Sequence, residues 1–139
     1  MLECLILGDS IAVGTQMFAK ECALVGKGGI NTSQFNKMYS TADLTAKTVI
    51  ISLATNDHKY VNTEAELLKM RERVKGQRVF WVLPAGNLKA GGVNIQWIQG
   101  LVREIAGKYG DTVLPINSLQ KDGIHPTWAG YKNIVERTK

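Results

Sequence analysis

Cysteine is nearly absent from this chain: among 139 residues only Cys4 and Cys22 occur, each inside an apolar stretch. Neither belongs to a CxxC pair or a Cys/His cluster, so zinc fingers and disulfide frameworks drop out, and Cys4 reads as an inert core thiol. Aromatic residues make up only 7% of the sequence, too few to suggest a clamp for a nucleotide ring. The three prolines, Pro84, Pro115 and Pro126, mark no linker, and no repeat or low-complexity tract divides the chain. A single domain spanning 1–139 is therefore expected. No apolar run approaches the roughly 18 residues of a membrane span, and the longest, around residues 49–54, is broken by Ser52. The N-terminus also lacks the basic region and cleavage site of a signal peptide, so a cytoplasmic start is expected, with an extracellular location left open if the chain is trimmed.

Acidic residues are the minority, with 12 Asp+Glu against 17 Lys+Arg for a net charge of +5. Such a balance favours anionic partners in principle. Here, however, Lys69, Arg71, Arg73, Lys75 and Arg78 are interleaved with Glu64, Glu66 and Glu72. That pattern reads as a solvated helix face with cations near its C-terminus. Neither nucleic acid nor membrane is expected as a partner, and the chain is expected to be a monomer or weak oligomer.

What is present is an alternation. Apolar runs rich in Val, Ile and Leu occupy 2–7, 23–25, 48–53, 79–83 and 112–116. They are continuous rather than alternating in polarity, as in strands buried on both faces of a parallel sheet. Helical patterns lie between or after them at roughly 11–21, 33–39, 64–75, 95–109 and 127–137. Thr63 to Glu66 reads as a capping box and Gly76 as a C-terminal stop. The fold class is thus α/β, a doubly wound three-layer domain with a five-stranded parallel sheet. Ligand sites in such sheets form beyond the carboxyl ends of the strands.

Four loops at those ends carry polar residues. Gly8-Asp9-Ser10 puts a serine where a strand turns into a helix, beside unsatisfied backbone N–H groups. The same residues suit a plain Asp/Ser helix cap. Asp122-Gly123-Ile124-His125-Pro126 offers a base for that serine and a carboxylate able to reach the imidazole, though Asp122-Gly123 is equally suited to a turn around a surface histidine. Asn56 in Ala54-Thr55-Asn56-Asp57 could donate its amide to an oxyanion. Gly26-Lys27-Gly28-Gly29 contains neither a Walker nor a dinucleotide fingerprint, and offers backbone that a substrate can approach. His58, Asp57, Asp122 and His125 match no standard metal-ligand spacing. Trp81 and Trp97 read as packing residues, while Trp128 could line the leaving-group side of a site around His125.

Taken in order, these four blocks resemble the SGNH (GDSL) hydrolase family over residues 5 to about 131, and His-Pro-Thr-x-x-Gly-Tyr at 125–131 extends the last block. The resemblance implies a flavodoxin-like fold with strand order 2-1-3-4-5. It implies Ser10 as nucleophile, His125 as base and Asp122 as its acid. The oxyanion hole is then built from Ser10, Gly29 and Asn56, with Gly28 as the alternative glycine. The sequence departs from the family pattern at Ala54, where glycine is usual, and at Ile30, where the usual glycine register would fall. The activity implied is serine-dependent hydrolysis of acyl esters, expected to be short-chain and acetyl-type and carried on small molecules or polysaccharides. No cofactor and no metal are implied. A non-catalytic glycan- or anion-binding module on the same fold is the alternative, and a nucleotide binder is disfavoured by the scarcity of aromatics.

Overall fold

The computed structural model describes residues 1–86 and 93–139 of the chain. Its elements run β1 (Leu2–Gly8), α1 (Ser10–Met17), β2 (Ala23–Gly26), α2 (Thr32–Met38), β3 (Ala46–Ser52), α3 (Thr63–Arg73), β4 (Arg78–Val82), α4 (Ile95–Tyr109), β5 (Thr112–Leu114) and α5 (Trp128–Arg137). All strand pairs are parallel, in the order β2-β1-β3-β4-β5. Leu5, Ile6 and Leu7 in the middle of β1 have no exposed surface, which is why that strand reads as an unbroken apolar run.

Two cores follow from the two faces of the sheet. One packs Leu5, Leu7, Val49 and Ile51 against Phe35 of α2, Leu67 and Met70 of α3, and Ile98, Val102 and Ile105 of α4. The other packs Ile6, Ile50 and Phe80 against Ile11 and Ala12 of α1 and Tyr131, Ile134 and Val135 of α5. Each such side chain contributes roughly 1.5–3 kcal/mol when fully buried. Helix α1 therefore shares its face with α5, and this brings the loops preceding those two helices together.

The two cysteines overturn the reading of a free core thiol: Cys4 and Cys22 form a disulfide with a Cα–Cα distance of 4.6 Å. The cause is register. Leu5 of β1 is paired with Ala23 of β2, so the residues just before them face each other across neighbouring strands.

Other local expectations are corrected as well. Helix α1 stops at Met17 rather than near Glu21. Helix α3 is capped by Asn62, whose side chain accepts from the Ala65 N–H, so Thr63 is not the cap. Gly76 is not the helix stop, because α3 ends at Arg73 and a Cβ on Gly76 would crowd Val49, Val79 and the Ala46 carbonyl. Trp81 is buried as expected, whereas Trp97 is half-exposed on α4. No helix among the described residues is long and apolar enough to cross a membrane.

Candidate active site

The turn after β1 is shaped by Gly8, whose φ of +139° lies where side chains rarely go and where a Cβ would overlap the Ser52 carbonyl. The turn is then tied to both flanking strands, since Asp9 N–H donates to Ser52 O (3.0 Å) and Lys27 N–H donates to Gly8 O (3.0 Å). Asp9 caps α1 by accepting from the Ile11 N–H at 3.0 Å, and Ser52 Oγ donates to the same oxygen at 3.3 Å. Asp9 has no exposed surface, and its second oxygen has no partner among the described residues. Burial pushes its carboxyl up to about 6. Ser10 is the first residue of α1, half-buried at a positive helix end.

The loop before α5 supplies the other half. Asp122 Oδ1 accepts from the backbone N–H groups of Ile124 (2.9 Å) and His125 (3.0 Å), with Gly123 at φ +69° completing the turn. Asp122 Oδ2 lies 2.7 Å from His125 Nδ1, and His125 Nε2 lies 3.0 Å from Ser10 Oγ. The two readings of Asp122 thus coexist: one oxygen builds the turn and the other faces the imidazole. A carboxylate accepts only, so Nδ1 carries the hydrogen and Nε2 is left to accept from the serine hydroxyl. The His125 side-chain hydrogen bond, with the two backbone ones, holds Asp122 down to about 2. Both side chains are partly open to solvent, at 35% for His125 and 43% for Asp122.

On the opposite flank of Ser10 lie the β2–α2 and β3–α3 loops. A Cβ on Gly28 would come within 3.9 Å of Ser10 Cβ, whereas one on Gly29, at φ +82°, would meet nothing within 4 Å. Gly28 is therefore the glycine against Ser10, and Gly29 faces open space. Neither N–H makes a backbone hydrogen bond among the described residues. Asn56 Nδ2 donates to Ile30 O at 3.0 Å, which fixes the amide across the two loops and leaves its second hydrogen uncommitted.

At the family's usual glycine position Ala54 is fully buried with φ +87°. Such backbone costs an L-residue about 1–2 kcal/mol, so the departure is felt as strain in the turn that presents Asn56.

Asp57 is the residue whose importance the sequence concealed. Its carboxylate accepts from Thr32 N–H (2.8 Å), Thr32 Oγ1 (2.6 Å) and Thr63 Oγ1 (2.8 Å). It joins the starts of α2 and α3 to the β3 turn, and burial raises its pKa. The only signal in the sequence is a Thr opening each of two helices, α2 before Asp57 and α3 after it. Asp57 is thus spent on helix starts while Asp122 and His125 face each other. Among the described residues no three His, Cys, Asp or Glu side chains group as metal ligands.

Comparison with known proteins is informative only through structure, because no family model and no curated protein sequence matches the chain. The chain is similar to a GDSL-like lipase from Bacteroides thetaiotaomicron (TM-score 0.70, 18% identity, 99% of this chain and 85% of that one). It is similar to a catalytic mutant of an acetylxylan esterase from Geobacillus stearothermophilus (0.65, 16%, 98% and 93%). It is also similar to the catalytic domain of peptidoglycan O-acetyltransferase A from Streptococcus pneumoniae (0.67, 18%, 98% and 91%). At these identities the likeness is one of fold: the chain has the three-layer α/β fold of the SGNH hydrolases, with strand order 2-1-3-4-5.

Proposed function

We propose that this chain is a serine-dependent esterase of the SGNH type, acting on short acyl esters through an acyl-enzyme. The observation that carries the reading is the continuous hydrogen-bond path from Ser10 Oγ through His125 to Asp122 at the start of α1. Ser10 Oγ attacks the ester carbonyl as His125 Nε2 takes its proton, and Asp122 steadies the imidazolium that forms. The carbonyl oxygen, now an anion, is received by the backbone N–H of Ser10, by a glycine N–H from Gly28 or Gly29, and by the free amide hydrogen of Asn56. His125 then returns the proton to the departing alcohol, and water repeats the sequence to release the acid.

Acetyl groups on carbohydrate are the favoured substrate class. A half-open Ser10 suits a small acyl group, and both the acetylxylan esterase and the peptidoglycan O-acetyltransferase share the fold. The reaction uses no cofactor and no metal. The Cys4–Cys22 disulfide supports an oxidising location over the cytoplasmic one expected from the N-terminus.

The test is a panel of para-nitrophenyl esters from acetyl to palmitoyl together with acetylated xylan, on wild type and Ser10→Ala. Turnover that falls with acyl length and vanishes in Ser10→Ala is expected. Full activity in Ser10→Ala would remove the serine mechanism, and saturable glycan binding without turnover would favour the non-catalytic module.

A further inference from the structure

A groove of about 300 Å³ opens on the α1/α5 face, lined by Gly14, Met17, Phe18, Lys20, Gln120, Trp128 and Tyr131. Its floor is the Phe18–Tyr131 pair, stacked with ring centroids 5.9 Å apart, and Tyr131 can lie there because a Cβ on Gly14 would overlap its ring. Its walls are apolar side chains left in water: Trp128 is 77% exposed and Met17 64%. Solvated large apolar groups facing each other across a gap mark a binding surface more often than a packing accident.

Position ties the groove to Ser10. Gly14 is four residues along α1 from Ser10, hence one turn or about 6 Å down the same helix face, and Phe18 stands a further turn away. The opposite wall belongs to the His125 loop, because Gln120 N–H donates to His125 O at 2.8 Å and Trp128 opens α5 three residues after His125. The Gly28 and Asn56 loops contribute nothing to it.

We infer that this groove is the subsite for the alcohol half of the ester, and that it takes an alcohol bearing a six-membered ring with an apolar face. The inference rests on the serine-esterase reading. In that reaction the carbonyl oxygen must point to the N–H donors on the Gly28/Asn56 flank, and the leaving oxygen must lie toward His125 Nε2 to receive its proton. The alcohol is therefore delivered to the His125 side, where the groove begins. Trp128 supplies a flat open face for the ring, while the free Oε1 of Gln120, whose Nε2 is tied to Pro126 O at 2.9 Å, and the Lys20 ammonium offer polar contacts at the rim. A pyranose and an aryl ring both present such a face. The volume lies at the lower end of ligand pockets, which suits a single ring rather than a length of polymer.

The experiment compares alcohols at constant acyl group and acyl groups at constant alcohol. Methyl acetate, phenyl acetate and a monoacetylated methyl xyloside form the first series, and methyl esters from acetate to hexanoate the second. Trp128→Ala and Met17→Ala, both at exposed positions, are expected to lower kcat/KM for the ring alcohols about tenfold more than for methyl acetate, mainly through KM. The aryl and xyloside arms show which ring the groove prefers. A change in acyl-length dependence instead, or an equal loss across the alcohol series, would overturn the assignment. The subsite is also tested without turnover, by tryptophan fluorescence of Ser10→Ala titrated with methyl xyloside and with phenol. Saturable change at millimolar ligand that disappears in Trp128→Ala supports it even if no ester is hydrolysed, which would sink the esterase reading alone. No saturable change with either ring overturns the subsite while leaving the esterase reading intact.

Discussion

The two ends of the sheet are built to opposite standards. At the amino end strong groups are paired across elements: Cys4 is bonded to Cys22, and the buried Arg71 holds Asp111 through two hydrogen bonds of 2.7 and 2.9 Å. The indole N–H of Trp81 donates to the same carboxylate at 2.8 Å. At the carboxyl end the matching is deliberately incomplete. Among the described residues Asp9 keeps an unpartnered buried oxygen, Ala54 sits at φ +87°, and the N–H groups of Gly28 and Gly29 make no backbone hydrogen bond. The difference teaches where this small domain places stability and where it leaves groups free to meet a substrate. Substitution of Ser10, Asn56, Asp122 or His125 at the carboxyl end should register in turnover, and substitution at the amino end in melting temperature.

The sharpest test of that division is Asp122→Asn. The amide keeps the size and the turn-building oxygen but leaves His125 in the wrong tautomer, so turnover should fall by about four orders of magnitude. Melting temperature at pH 7 should barely move, because Asp122 is at the surface. Turnover within a few-fold of wild type would take Asp122 out of the chemistry.

Next comes Asn56→Ala. Loss of one oxyanion donor should lower kcat by roughly 100- to 1,000-fold with little change in KM. The Ile30 carbonyl that loses its partner lies beside an exposed residue, so thermal stability should change little. A drop of several degrees with turnover per folded molecule preserved would make Asn56 a structural residue.

The amino end should answer in the opposite way. Reducing Cys4–Cys22, or replacing both with serine, reopens a loop of 18 residues, worth about 3 kcal/mol in the chain-entropy account. Chemical denaturation should show that loss while kcat of the folded fraction stays within twofold. A parallel collapse of kcat would mean that the two ends are coupled.

A smaller effect concerns Asp9, whose carboxyl rises from 3.8 to about 6 on folding. The folded chain therefore holds this proton more tightly than the unfolded one, and stability drains away as pH climbs through that window, on the order of 3 kcal/mol in all. Asp9→Asn has no such proton to lose. Its melting temperature should gain on the wild type between pH 4 and pH 7, and parallel curves would show that Asp9 is not titrating there.

The fold was legible because β1 and β3 are buried on both faces and leave an unbroken apolar run, and because helices separate them at crossover length. The Ser10, Asn56, Asp122 and His125 loops were legible because each stands at a strand or helix terminus that the alternation already placed. What could not be read depends on register or on distance in sequence. The Cys4–Cys22 bond needs the Leu5–Ala23 pairing, and the bonds of Asp57 to Thr32 and Thr63 need three loops to converge. Trp97 misled because a tryptophan on an amphipathic helix is ordinarily drawn to the core, and here it lies on the half-exposed side of α4. The strain at Ala54 was visible only as a missing glycine; the positive φ explains why glycine is the usual choice there.

Covalent labelling puts the central claim to its most direct test. Incubation with a fluorophosphonate, followed by intact mass and peptide mapping, should give a single adduct on Ser10, since that hydroxyl alone has an imidazole at 3.0 Å among the described residues. The adduct should fail to form in His125→Ala. An adduct on another residue, or labelling of Ser10 that proceeds equally well without His125, would contradict the account.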